Sequence, residues 1–297
     1  MSKLSHLSIL ALGGALTLTP VVQARTCTGN SDVVGAYGWT GSRSPVFAPL
    51  SIDPPATTIA RSITPIGALA GGAANQIAFA AVGRVFIDGN GGIFSSSNAT
   101  TPVLQVGTYT VNVDCSISAT IIDAFMPPQE FFFGPAQASA TFQGVVVQTG
   151  TEINLTQTSG IGGTTIELKK MKQYGGCAED ALNGSFGLSA TGISYHLDAD
   201  NTLSTTPFAL AGRLVGDGLG KFVIDALAEQ SPLKTRQFTG TYSVSGDCTG
   251  AGTLVDSTGK SRKISLVVVN SAAGSGAAGV MFAFTDSTIG SGVAIQQ

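Results

Sequence analysis

The feature that most limits what this chain can fold into is an internal duplication. Residues 79–91 read FAAVGRVFIDGNG and residues 208–220 read FALAGRLVGDGLG, with Phe, Ala, Gly, Arg, Asp and Gly recurring in place. GTYTVNVDCS (107–116) returns as GTYSVSGDCT (240–249). Each copy opens on a cysteine and a Gly-x-aromatic-Gly step, Cys27 with GAYG (35–38) and Cys177 with GSFG (184–187). The order is the same in both halves, so the domain plan is two tandem copies of one unit.

Ahead of the first copy stand Lys3, an apolar run from Leu7 to Leu18 and the small-residue ending Val22-Gln23-Ala24, the pattern of a secretory signal cut after Ala24. The expected plan is a signal peptide over 1–24, a first module over 25–172 and a second over 173–297, meeting at KQYGGC (172–177). So short a joint implies that the modules touch. No later stretch approaches the roughly 18 apolar residues of a membrane-spanning helix. The mature chain is therefore expected to be secreted, periplasmic or held at the cell surface, without a transmembrane segment.

Inside each module the hydrophobic period is two. Examples are ATFQGVVVQ (140–148), EINLTQT (152–158), TTIELKK (164–170) and RKISLVVVN (262–270), separated by turns such as DGNGG (88–92), DGLG (217–220) and DSTGK (256–260). Short strands at regular spacing without a helical period predict an all-β fold of two small antiparallel up-and-down barrels, about eight strands each, whose closure removes exposed edges. Four cysteines in an exported chain allow three pairings. A duplicated unit carries its own bridge, which selects Cys27–Cys115 and Cys177–Cys248. Tyr37, Phe186, Tyr109 and Tyr242 read as core plugs. The first module also carries a long insertion over 42–78 and MPPQEFFFGP (126–135), neither matched in the second. Insertions of this kind belong at the mouth of a barrel, and ATTIARSITPIGAL (56–69) leaves room for a short helix.

The chemistry the sequence offers is sparse. With 15 basic and 18 acidic residues there is no positive field, which argues against nucleic acid as a partner. No G-x-S-x-G, H-E-x-x-H, P-loop or dinucleotide fingerprint occurs, and His196 alone remains once the signal takes His6. No C-x-x-C pair marks a metal site. The acidic cluster Asp198, Asp200 and Asn201 reads as a solvated turn, and Asp123, Glu130, Glu152 and Glu167 as solvated strand or loop positions. No catalytic residue, metal or cofactor is expected, and an enzyme is the weaker expectation. Arg84 and Arg213, repeated in a G-R-x-x-x-D-G context, are either lumen anchors for an anionic or carbonyl ligand or halves of Arg–Asp pairs that fix a strand to a loop. Asp114 and Asp247, each just before a cysteine, recur with them. Phe131, Phe132 and Phe133 cannot all share one face of a strand, so at least one is expected to be exposed, cover the mouth or dock on the second module.

The Gly-x-aromatic openings and the GTYxVxxDC step resemble secreted bacterial β-barrel modules of the calycin-like or allene-oxide-cyclase-like kind. The resemblance implies an up-and-down barrel with a central cavity for an apolar small molecule. The expected function is non-catalytic binding of a small apolar ligand in a barrel cavity, with Arg84, Arg213 and Phe131–Phe133 as candidate ligand contacts. A structural or adhesive surface protein with a protein partner is the alternative, and a cyclase- or isomerase-like barrel the third.

Overall fold

The protein is described by a computed structural model covering residues 26–43, 79–95, 104–122, 139–147, 150–159, 164–171, 176–197, 203–228, 234–270, 278–286 and 288–297. The signal segment expected over 1–24, the helix expected within 56–69 and Phe131–Phe133 lie outside these residues. The first module forms β1 (Gly35–Arg43), β2 (Phe79–Ile87), β3 (Gly92–Ser95), β4 (Leu104–Val111), β5 (Ser116–Ile122), β6 (Ser139–Val147), β7 (Glu152–Gln157) and β8 (Thr164–Lys170). The second forms β9 (Asn183–Leu197), β10 (Leu203–Asp217), β11 (Lys221–Ala228), β12 (Lys234–Val244), β13 (Thr249–Asp256), β14 (Ser261–Asn270), β15 (Ala278–Phe284) and β16 (Thr288–Gln296). Each strand pairs antiparallel with its chain neighbour. Both sheets close into eight-stranded barrels, β1 on β8 with Trp39 opposite Leu168, and β16 on β9 with Ile289 opposite Ile193.

Alternation fixes what each barrel holds. Along β6, Ala140, Phe142 and Val146 are buried while Thr141, Gln143 and Val145 are exposed. Tyr37, Phe142, Ile87 and Ile153 fill the first lumen, and Phe186, Phe222, Phe282 and Phe284 the second. Each such side chain stabilises the fold by about 1.5–3 kcal/mol on burial. Rings this large fit because glycines face them: a Cβ on Gly292 would lie 2.5 Å from Phe282 Cζ.

One end of each barrel is a tied base. Short 3₁₀ turns, Asn30–Val33 and Glu179–Leu182, bury Val33 and Leu182 there. Tyr109 Oη donates to Asn30 O at 3.1 Å and Tyr242 Oη to Glu179 O at 2.8 Å. Disulfides Cys27–Cys115 and Cys177–Cys248, each with Cα atoms 5.0 Å apart, join the module starts to the β4–β5 and β12–β13 turns. Cys115 and Cys248 are the two non-glycine residues at positive φ among those described, at 64° and 67°. They close four-residue loops in a left-handed conformation that glycine would adopt more easily.

The barrels lie side by side. Val267, Val269, Met281 and Ala283 point out of the second barrel yet are buried, so β15 is buried on both faces. They meet small residues on the outer face of β1 and β2. Ala36 and Val82 pack on the second barrel's core, and Ala80 clusters with Ala283 and Ile289. Gly38 is required by this approach, since a Cβ there would lie 2.5 Å from Val269 Cγ1 and 2.8 Å from Val267 Cγ1. Ala80 stands at the mouth end of β2 and Gly38 nearer the base, and their partners are ordered likewise. Both mouths therefore open on the same side.

Candidate functional site

The repeated arginines take different places. Arg84 points out of the first lumen, into the seam, with 1% of its side chain exposed. Its Nη1 donates to Asp247 O at 2.8 Å and lies 3.8 Å from Asp247 Oδ2. An Arg–Asp pair thus does hold a strand to a loop, but the aspartate belongs to the other copy. Asp114 instead accepts from Ser116 N and Oγ, at 2.9 and 2.7 Å. Arg213 is exposed on the outer face of β10, opposite Asp225 across the β10–β11 pair. Neither arginine faces a lumen.

The expected turn residues repeat one device. Asp88 Oδ1 accepts from the amides of Asn90 and Gly92, and Asp217 Oδ1 from those of Leu219 and Lys221, all at 2.8 Å. These hydrogen bonds, the Gly92 amide foremost for Asp88 and the Lys221 amide for Asp217, hold both carboxyls below their ordinary range.

Of the four first-module acids, Glu152 and Glu167 come together on Lys169, whose Nζ lies 2.7 and 2.8 Å from their carboxylates. Asp123 and Glu130 lie outside the described residues. Burial raises the Glu152 carboxyl, but hydrogen bonds from Lys169 and Asn154 and the Lys169 charge bring it below its ordinary value. Burial lowers Lys169, yet the two carboxylates raise it overall. Both partners are locked in their charged forms near neutrality, so the cluster is not poised for proton transfer.

A concave site does form at the mouth of the second barrel. Its floor is aromatic: Phe208 stacks edge-on against Phe284 at 5.6 Å, and Phe238 lies beside them. Its wall carries Arg236 and Arg262 with Asp256 and Thr288, and the space between measures about 70 Å³. Arg262 Nη1 donates to Thr288 Oγ1 and lies 3.9 Å from Asp286 Oδ1. Asp256 Oδ1 accepts from the amides of Thr258 and Lys260 at 2.8 and 3.0 Å. The Thr258 hydroxyl first, opposed by slight burial, then these amides and the Arg236 charge, hold the Asp256 carboxyl below its usual range. Arg236 and Arg262 belong to none of the repeated motifs. The available signal was phase, since both fall on the alternation that carries Phe238 and Ile264 into the lumen.

At the first mouth, Gln157 Nε2 donates to Ser159 O at 2.5 Å. Gln157 Oε1 and Thr164 Oγ1 are buried without a hydrogen-bond partner among the described residues.

The fold and its mouths define a tandem eight-stranded β-barrel protein with one disulfide per barrel. No helix among the described residues is long and apolar enough to cross a membrane. No family model matches the chain, nor does any curated protein. Among solved structures it is similar to the vaccine antigen transferrin binding protein B of Haemophilus parasuis Hp5. That likeness has 7% identity and a TM-score of 0.29, over 88% of this chain and 75% of that one. At that score it carries no weight for function.

Proposed function

We propose that this chain is an exported, non-catalytic binding protein whose two barrels form a rigid support for a contact surface at the mouth end. The carrying observation is an asymmetry between the ends. The bases are tied by disulfides and 3₁₀ turns and use short hairpins over 88–91 and 112–115, whereas 44–78, 96–103 and 123–138 all join strands at the mouth. Loops on a rigid scaffold are where recognition is built. Lumens occupied by buried aromatic and branched side chains leave the partner to be met outside the barrel. Phe131–Phe133, within the 123–138 connection, supply the apolar contact, and two bridges fit an oxidising compartment outside the cytoplasm.

A second reading, a small ligand held at the first mouth, is favoured by the unpartnered Gln157 Oε1 and Thr164 Oγ1. Native mass spectrometry of the mature chain from its own host separates the two. The surface reading expects an apo mass with both disulfides intact. A co-purifying molecule released on denaturation overturns it in favour of the second.

A further inference from the structure

We propose that the mature chain forms a two-fold dimer through the outer face of β10 and β11, in which Arg213 and Asp225 of one copy meet Asp225 and Arg213 of the other. This contact lies on the side of the second barrel and is independent of the mouth-end surface above.

The face differs from a solvated one on the same barrel. Along β12 the outward residues Thr235, Gln237, Thr239 and Thr241 are exposed and all polar, as on the water-facing side of an antiparallel sheet. Along β10 and β11 the outward residues are Ala209, Ala211, Val215, Val223 and Leu227 around Arg213 and Asp225. Val215, Val223 and Leu227 are 39%, 38% and 49% exposed. Aliphatic side chains left contiguous in water mark a contact surface. The repeated face already serves as one within this molecule: Ala209, Ala211 and Arg213 stand where Ala80, Val82 and Arg84 stand in the seam.

The strand register selects a second copy as the occupant. Across the β10–β11 pair Ala211 stands opposite Leu227, Arg213 opposite Asp225 and Val215 opposite Val223. A two-fold axis along the strands, midway between β10 and β11, lays β10 of one copy on β11 of the other. Arginine then faces aspartate twice, valine faces valine twice, and the small Ala211 receives the larger Leu227. The face is complementary to itself, as an isologous contact demands. A two-fold axis across the strands would instead set Arg213 on Arg213 and Asp225 on Asp225, so the charges choose between the two arrangements. The other apolar face does not compete, because Val267, Val269, Met281 and Ala283 are already buried in the seam. Its first-barrel counterpart carries the Glu152–Lys169–Glu167 cluster. A contact over two strands of a convex barrel is smaller than the roughly 800 Å² per partner of a standard interface, so the dimer is weak.

The test is sedimentation equilibrium of the full mature chain over about 10 μM to 1 mM, with a monomer–dimer Kd on the order of 100 μM expected. Arg213→Asp and Asp225→Arg each set like charges face to face and should weaken the dimer about tenfold or more. Mixing the two variants restores opposite charges across the contact, so together they should associate at least as tightly as the parent. Val223→Lys should also weaken the dimer about tenfold, whereas Val145→Lys, on the exposed face of the first barrel, should leave it unchanged. All four positions are exposed, and circular dichroism checks that each variant folds. A monomer mass across the whole range, association that survives either charge reversal, no association in the mixture, loss of association in Val145→Lys, or growth beyond the dimer would each overturn the proposal.

Discussion

Replacing Arg84 by methionine tests the seam between the barrels, because the duplication supplies an internal control. Methionine keeps much of the stem that lies against the second barrel but removes the donor to Asp247 O, a 2.8 Å hydrogen bond from a side chain that is 1% exposed. A hydrogen bond involving a charged partner is worth about 1.5–3 kcal/mol. The ion pair at 3.8 Å, with Asp247 21% exposed, adds at most about 1 kcal/mol after solvent screening. A loss near 2 kcal/mol is expected for Arg84→Met. Arg213→Met, the same change at the repeated position on an exposed face, should stay within about 0.5 kcal/mol of the parent. Asp247→Asn keeps the backbone carbonyl that accepts from Arg84, so its coupling to Arg84→Met should be under about 1 kcal/mol. Urea unfolding reads all three, with far-UV circular dichroism for both barrels and fluorescence of the one tryptophan, Trp39, for the first. Equal costs for the two arginines, or a cost below about 0.5 kcal/mol for Arg84→Met, would refute the seam argument.

Gly38→Val drives a side chain into Val269 and Val267, and is expected to cost about 2–3 kcal/mol. Gly187→Val, its repeat counterpart, meets at 3.3 Å only the flexible Gln297 amide and should cost under about 1 kcal/mol in the same unfolding assay. Removing the first bridge as Cys27→Ala with Cys115→Ala should cost about 4–5 kcal/mol for a separation of 88 residues. Pairing Cys27→Ala with Cys115→Gly should recover about 1 kcal/mol, because position 115 sits at φ 64°. Thermal midpoints should be flat from pH 7 to about 5 and fall below about pH 4. Asp88, Asp114, Asp217, Asp247, Asp256 and Glu152 all have depressed folded-state values, so the stability they contribute is present above the unfolded pKa and lost as pH drops through the folded one. A midpoint that rises on acidification would refute this.

The features legible in the sequence are those governed by neighbours along the chain or by the duplication. Alternation marked 140–148 and 152–158 as strands, Asp-Gly steps placed Asp88 and Asp217 in turns, and the repeat paired the cysteines. Tyr109 and Tyr242 proved to be plugs that also tie the base. Two features escaped because they depend on which faces meet in space. Arg84 was readable as half of an Arg–Asp pair, but its aspartate lies on the other barrel, and no local spacing encodes that. The mouth of the second barrel escaped because Arg236 and Arg262 lie outside the repeated motifs, where the copies diverge.

Divergence between the copies also shows which faces the seam uses. The seam sets the β1–β2 face of one copy against the β14–β16 face of the other, a heterologous contact that would propagate if both copies kept both faces. The second barrel's outer strands read as continuous apolar runs, LVVV (266–269) and VMFAF (280–284), as strands buried on both sides do. The matching face of the first barrel carries exposed Val145 beside Asn154, Thr156 and the Glu152–Lys169–Glu167 cluster. Covering those charges with a second seam would strip water from groups whose pairing is already complete, at a cost that added contact would not offset. The β9–β10 face of the second barrel keeps Gly187, Ala209, Ala211 and Arg213 at the positions that Gly38, Ala80, Val82 and Arg84 take in the seam. The duplication therefore supplied two similar faces, and of the two it is the second copy's that stays apolar and forms the seam.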